Sequence, residues 1–212
     1  MNSRTVVAIA GKPGMGTALS LAGAGFAMVL GLAGCGECTL ARSERDREAC
    51  EADAEDRHRQ EMLSSAVDRI GTGTPIDTQL FPYQNGLQLD LHGCGRVNAA
   101  QVVCLLAVTA LSFDWKVEVD VGGCFFSEWT RGIDDLGNSY KPSQVSVADD
   151  QSTSLCLNHE FATGFTIPMT VTFPNVHAGA DSFVRLKLAV NADRGQGSSR
   201  GEVVFYDVPI LN

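Results

Sequence analysis

Positive charge is scarce in this chain. Lys and Arg number 16 against 25 Asp and Glu, for a net charge of −9. An acidic surface lacks the basic stripe that a nucleic-acid partner requires. It also lacks the polybasic cluster that holds a protein on anionic lipid. Catalytic signatures are thin too. There is no H-E-x-x-H, the spacing that puts two histidines on a metal, and the G-x-S-x-G match at Gly197-Ser198-Ser199-Arg200-Gly201 runs into a strand pattern rather than the helix of a nucleophile elbow. The stretch VVAIAGKPGMGTALSLA has the layout of strand, glycine loop and helix, with Gly11 and Gly16 at P-loop spacing. Thr17 stands where that loop needs its lysine, so the cation that meets the β/γ-phosphates is missing. His58, His92, His159 and His177 are scattered and form no ligand set. No cofactor, no catalytic residue and no enzyme activity are expected.

One uncharged run is informative. Residues 17–34 (TALSLAGAGFAMVLGLAG) carry no charge, with Arg4 and Lys12 before them and no acidic residue until Glu37. A basic start, an apolar stretch and small residues at its end describe a secretory signal peptide. The run could also span a bilayer, at the lower limit of length. Its glycines and alanines make it only modestly apolar.

The run ends in Leu32-Ala33-Gly34-Cys35, which resembles the lipobox of bacterial lipoproteins. The resemblance implies lipid on the Cys35 thiol, cleavage after Gly34 and a membrane partner reached through that lipid. Gly36 follows, and an aspartate there would resemble an inner-membrane retention signal. Delivery to the outer membrane, facing the periplasm, is therefore expected. Removing a leader with two basic residues leaves the remainder more acidic still.

Seven cysteines are present, at 35, 38, 50, 94, 104, 124 and 156. With Cys35 lipidated, six remain. An even number in an exported chain points to disulfides, although six cysteines allow fifteen pairings. Cys94 and Cys104 end one strand pattern and lie within the next, so a hairpin would bring them together. Cys124–Cys156 and Cys38–Cys50 are the companion pairings expected. The cysteines lack zinc-ligand spacing.

Residues 39–70 are dense in Arg, Glu, Asp and Ala, with no Gly or Pro. Arg47 with Glu51 and Glu55 with Arg59 sit at helical spacing. The expectation is a salt-laced helix or partly disordered stalk, since sustained heptads are lacking. The sequence thus divides into a leader (1–34), a lipid-anchored charged stalk (35–75) and a folded domain (76–212).

Gly71-Thr72-Gly73-Thr74-Pro75 breaks the helix, and period-two patterning follows. Leu87, Leu89 and Leu91 alternate with polar residues. Val102, Cys104, Leu106 and Val108 share a face, as do Trp115, Val117, Val119 and Val121. Further strands are expected at 125–133, 140–147, 166–173, 183–190 and 202–208. Short strands between turn signals predict an all-β antiparallel sandwich. The pieces Cys94, Cys104, Val108-Thr109, Asp134 to Tyr140, Phe173-Pro174-Asn175-Val176 and Phe205 to Pro209 resemble small immunoglobulin-like domains of bacterial envelope lipoproteins. That resemblance implies an immunoglobulin-like fold, with no catalytic residue to carry over.

A non-catalytic binding or scaffolding module, with another envelope protein as partner, is the functional expectation. A calcium- or ligand-binding sensor and an envelope hydrolase are the alternatives. Loops 132–139 and 148–165, with Trp129 and Phe161 nearby, are the expected binding surfaces. Asp134, Asp135 and Asn138 are the candidate calcium ligands. Asp134-Asp135-Leu136-Gly137-Asn138-Ser139-Tyr140 lacks the EF-hand pattern, however, and reads first as a turn.

Overall fold

The computed structural model describes residues 43–81, 86–121, 130–153, 156–193 and 198–212. The leader, Cys35, Cys38, Cys124 and Trp129 lie outside the described residues. Among the described residues, one helix, α1 (Glu44–Ile70), precedes twelve strands. These are β1 (Asp77–Leu80), β2 (Leu87–Asn98), β3 (Gln101–Ala110), β4 (Trp115–Asp120), β5 (Arg131–Asp134) and β6 (Ser139–Tyr140). Then come β7 (Gln144–Val147), β8 (Asp150–Ser152), β9 (Cys156–Phe161), β10 (Thr166–Phe173), β11 (Ser182–Asp193) and β12 (Ser198–Leu211).

α1 starts where Ser43 offers its hydroxyl to the backbone N–H of Asp46 at 3.2 Å. Glu44 and Asp46 add negative charge at the positive end of the helix dipole. The helix stops at Gly71, whose φ of 74° suits a residue without a Cβ and whose N–H returns to the carbonyl of Val67. Arg47 pairs with Glu51 as its spacing predicts, whereas Arg59 reaches Asp56. Most of the helix is exposed. Its last turns are not: Ala66 is buried, and Ile70 packs over Gly93 and Gly95 of β2. A Cβ at residue 95 would come within 3.3 Å of the Ala66 carbonyl oxygen, so glycine permits this close approach. Arg69 caps the contact by donating to the Arg96 carbonyl.

The strands form an all-β, immunoglobulin-like antiparallel sandwich. One sheet runs β1–β2–β3–β10–β7–β8. In the other, β11 is central. β12 lies along one side of it, while β4 and β5 share the other side. β9 extends β4 and β6 extends β5. The last residues of β12, Ile210 and Leu211, pair in parallel with Cys94 and Gly95 of β2 and join the sheets along one flank.

The core follows from the alternation. Leu87, Leu89, Leu91, Leu106, Met169, Val171 and Phe173 point in from the first sheet, and Val117, Val119, Phe183, Leu186, Leu188 and Phe205 from the second. Phe173 and Phe183 meet across the gap with ring centroids 5.2 Å apart. Each such side chain contributes about 1.5–3 kcal/mol by leaving water. Cys94 and Cys104 lie directly opposite each other in the β2–β3 register and are disulfide-bonded, as expected. Cys50 and Cys156 each take part in a disulfide too, with a partner outside the described residues.

Three sequence expectations change. Residues 140–147 are two strands, β6 and β7, in different sheets. Pro142, which cannot donate a ladder hydrogen bond, stands at the switch. Residues 148–165 are not one loop, since they contain β8 and β9. Only Leu157 and Phe161 of β9 face inward, too few to stand out as a period. Phe161 is itself buried and leaves the set of surface anchors.

Candidate interaction site

The first expected binding loop, 132–139, is fixed from within. β5 places Asp134 at the end of its ladder, fully buried. One carboxylate oxygen accepts the backbone N–H of Leu136 at 3.1 Å and of Asn138 at 2.7 Å. The other accepts the Asn138 side-chain amide at 3.0 Å and the Tyr140 hydroxyl at 2.7 Å. Gly137, at φ 85°, closes the turn. Burial acts to raise the Asp134 pKa, but the donors from Asn138, Tyr140 and Leu136 outweigh it and hold the carboxyl below its usual value. The Tyr140 hydroxyl is pushed the other way, first by burial and then by its bond to this carboxylate.

The three calcium candidates are therefore placed as follows. Asp134 is saturated by protein donors. Asn138 turns its amide N–H toward Asp134, so that end of its side chain offers no lone pair. Asp135 points elsewhere, accepting the backbone N–H of Asp181 at 3.4 Å. The turn is also bolted to the segment before β11. Tyr140 Oη accepts the His177 N–H at 3.1 Å, and Arg96 donates to the carbonyls of His177 and Ala180 at 2.8 and 2.6 Å. Gly132 lets Phe183 pack flat against β5, where a Cβ would meet the ring at 2.8 Å.

A different arrangement occupies one end of the sandwich. The register row Leu80–Gln88–Thr109–Thr166 crosses four strands of the first sheet there. Next to it, Leu80, Leu111, Phe113 and Phe165 are 46, 45, 49 and 66 % exposed. Their loops are stitched together. Ala110 bridges Thr163, Gly164 N–H donates to the Ala110 carbonyl, and Leu111 N–H to that of Gly86. Asp114 accepts both the N–H and the hydroxyl of Thr163, at 2.7 and 2.9 Å. Those two bonds hold its carboxyl below the usual value. Large apolar side chains held in water on a fixed scaffold mark an interaction surface. The sequence signal was faint: isolated apolar residues beside Gly, Ser and Asp, with no period.

The second expected loop, 148–165, lies on the flank next to this end. Lys116 of β4 and Glu160 of β9 are opposite each other on the outer face, and Asn158 follows along β9. His159, on the same strand, turns toward β8 and meets Asp150 at 2.7 Å across the gap between sheets. Its ring lies edge-on to Phe161, with centroids 4.9 Å apart. Lys116, Asp150, Asn158, His159 and Glu160 line a cleft of about 410 Å³. Among the described residues, no group of three or more His, Cys, Asp or Glu side chains is arranged to hold a metal ion.

No family model matches the chain, and no curated protein matches it. Solved structures do. The GAE domain of GGA2p from Saccharomyces cerevisiae is similar over 61% of this chain and 96% of that one, at 13% identity and a TM-score of 0.35. The GAE domain of yeast GGA1 covers 60% and 96%, at 12% identity and 0.33. A family 123 glycoside hydrolase from Clostridium perfringens covers 52% of this chain and 21% of its own, at 7% identity and 0.28. At scores this low, the fold class stands on the chain's own strands and registers, and no activity passes from these proteins to this one.

Proposed function

We propose that this chain is an exported protein, lipid-anchored at Cys35, whose sandwich is a non-catalytic binding module for another envelope protein. The observation that carries the binding reading is the apolar end of the sandwich. Leu80, Leu111, Phe113 and Phe165 are held in solvent by loops that are hydrogen-bonded to one another, so a partner meets a preformed surface and little ordering is required of it. Export is supported by the buried Cys94–Cys104 disulfide, a bond that persists in oxidising compartments. The uncharged run ending in Leu32-Ala33-Gly34-Cys35 supports the anchor. α1 then serves as a spacer. Its exposed part stands off the sandwich, at about 1.5 Å per residue. In this reading the domain faces the periplasm from the outer membrane.

The test compares the native chain with Cys35→Ser in the membrane fraction. Mass spectrometry of the mature N-terminus and cross-linked co-purification accompany it. The expected result is a diacylated cysteine at the native N-terminus, loss of anchoring in Cys35→Ser, and one recurrent partner lost on Phe165→Asp. An unprocessed Cys35→Ser chain that stays membrane-bound just as the native chain does would overturn the anchor. A partner list unchanged by Phe165→Asp would overturn the binding surface.

A further inference from the structure

We infer that the free edge of β9 takes up an extended segment of a partner protein as an added strand, read by the side chains of Lys116, Asp150, Asn158 and Glu160. The inference rests on the binding-module reading above and adds a second contact for the partner, on the flank next to the apolar end. Sheet edges expose unpaired N–H and C=O groups, and folded proteins blunt them by shortness, proline, kinks or cover. The other edges of this sandwich show those devices. β1, β6 and β8 have four, two and three residues. On the open side of β12, among the described residues, only Ile210 and Leu211 find a partner strand, and the residues before them include Pro209 and Asp207 in the left-handed region at φ 52°.

β9 is neither short, kinked nor interrupted by proline; it carries one charged side chain, Glu160, and β8 approaches it at the His159–Asp150 contact. It has six residues, contains no glycine or proline, and keeps an unbroken register with β4 from Trp115↔Phe161 to Asp120↔Cys156. Among the described residues, no strand pairs with its other side. The cleft of about 410 Å³ lies along it. Lys116, Asn158 and Glu160 make no side-chain hydrogen bond or ion pair, although they stand close together. Strand addition uses both features: main-chain bonds supply affinity, and alternate side chains meet the flanking groups. Two carboxylates, one of them already meeting His159, stand with one lysine in the cleft; on a chain of net charge −9 they select a segment carrying a basic side chain beside polar ones.

Random linear phage-displayed peptides, selected on the full chain, supply the probe. Enriched peptides carrying Lys or Arg are expected, and their binding is expected to slow hydrogen exchange of the β9 amides. N-methylation of alternate peptide residues is the decisive readout. Methylating one parity is expected to weaken binding at least about tenfold while the other parity does little, because only alternate N–H groups face the added-to edge. Glu160→Lys, which breaks no side-chain hydrogen bond or ion pair within the protein, is expected to weaken binding with an unchanged melting temperature. Peptides that protect only residues 111–114 and 162–165, or that show no parity, would overturn strand addition and leave the binding module standing. If no peptide enriches and no partner co-purifies with the native chain, both readings are lost.

Discussion

The 134–140 turn and the β8–β9 corner are made of the same residue types and behave in opposite ways. Each has carboxylates, an asparagine and a further polar ring or hydroxyl. In the turn, one buried carboxylate receives four donors and each group holds another in place. In the corner, His159 and Asp150 pair, but Lys116, Asn158 and Glu160 do not. The physical difference is burial. A polar group cut off from water has to find its partners inside the protein, whereas an exposed one keeps water until a ligand replaces it. A saturated cluster is structural, and an unsaturated exposed one is available for binding.

The largest way to break the contrast is Asp134→Ala. It strips four donors of their acceptor in a buried site and is expected to cost about 4 kcal/mol, read as a shift in the urea midpoint. The same carboxylate has a pH signature. Its folded pKa lies below the unfolded value near 3.8, so its contribution is complete above that value and is lost as pH falls through the folded pKa. Asp134→Asn is expected to remove that part of the acid limb from a stability–pH profile.

Gly132→Ala comes next, at about 2 kcal/mol, because the new methyl would displace the Phe183 ring from the core. Tyr140→Phe removes the hydroxyl that links Asp134 to His177 and is expected to cost about 1 kcal/mol, with a small effect on the melting temperature. The smallest stability effect is the one that sharpens the comparison. Lys116→Ala, Asn158→Ala and Glu160→Ala combined are expected to stay within about 0.5 kcal/mol of the native chain in denaturant, while peptide binding at the corner falls. A loss of several kcal/mol from that triple variant would mean that the corner is as structural as the turn.

Much of the sandwich was legible in the chain. Thr166–Phe173 was expected as a strand at those bounds, and Trp115, Val117 and Val119 face inward together as their alternation demands. The Cys94–Cys104 pairing followed from two adjacent strand patterns. β9 was hidden, because an edge strand with Asn158, His159 and Glu160 in its middle carries little apolar period. The docking of α1 was hidden too. Ala66, Ile70 and Arg69 make the contact shown with the sheet, and the glycines that admit them lie in another element. Of the surface anchors considered in the sequence, Phe161 proved to be core, while Phe165, four residues on, stands in solvent.

Local pattern determined which segments became strands, where α1 is capped, and that Asp134 to Tyr140 would turn. Those outcomes depend on dihedral preference and on the two-residue side-chain period, both written in consecutive residues. Tertiary structure decided which polar groups found partners. Asp134 meets Tyr140 and, through it, His177, while Lys116 and Glu160 are left facing water beside an edge that pairs with no strand among the described residues. That division depends on which strands become neighbours and which one is left at the rim, and burial then fixes what each polar side chain must do.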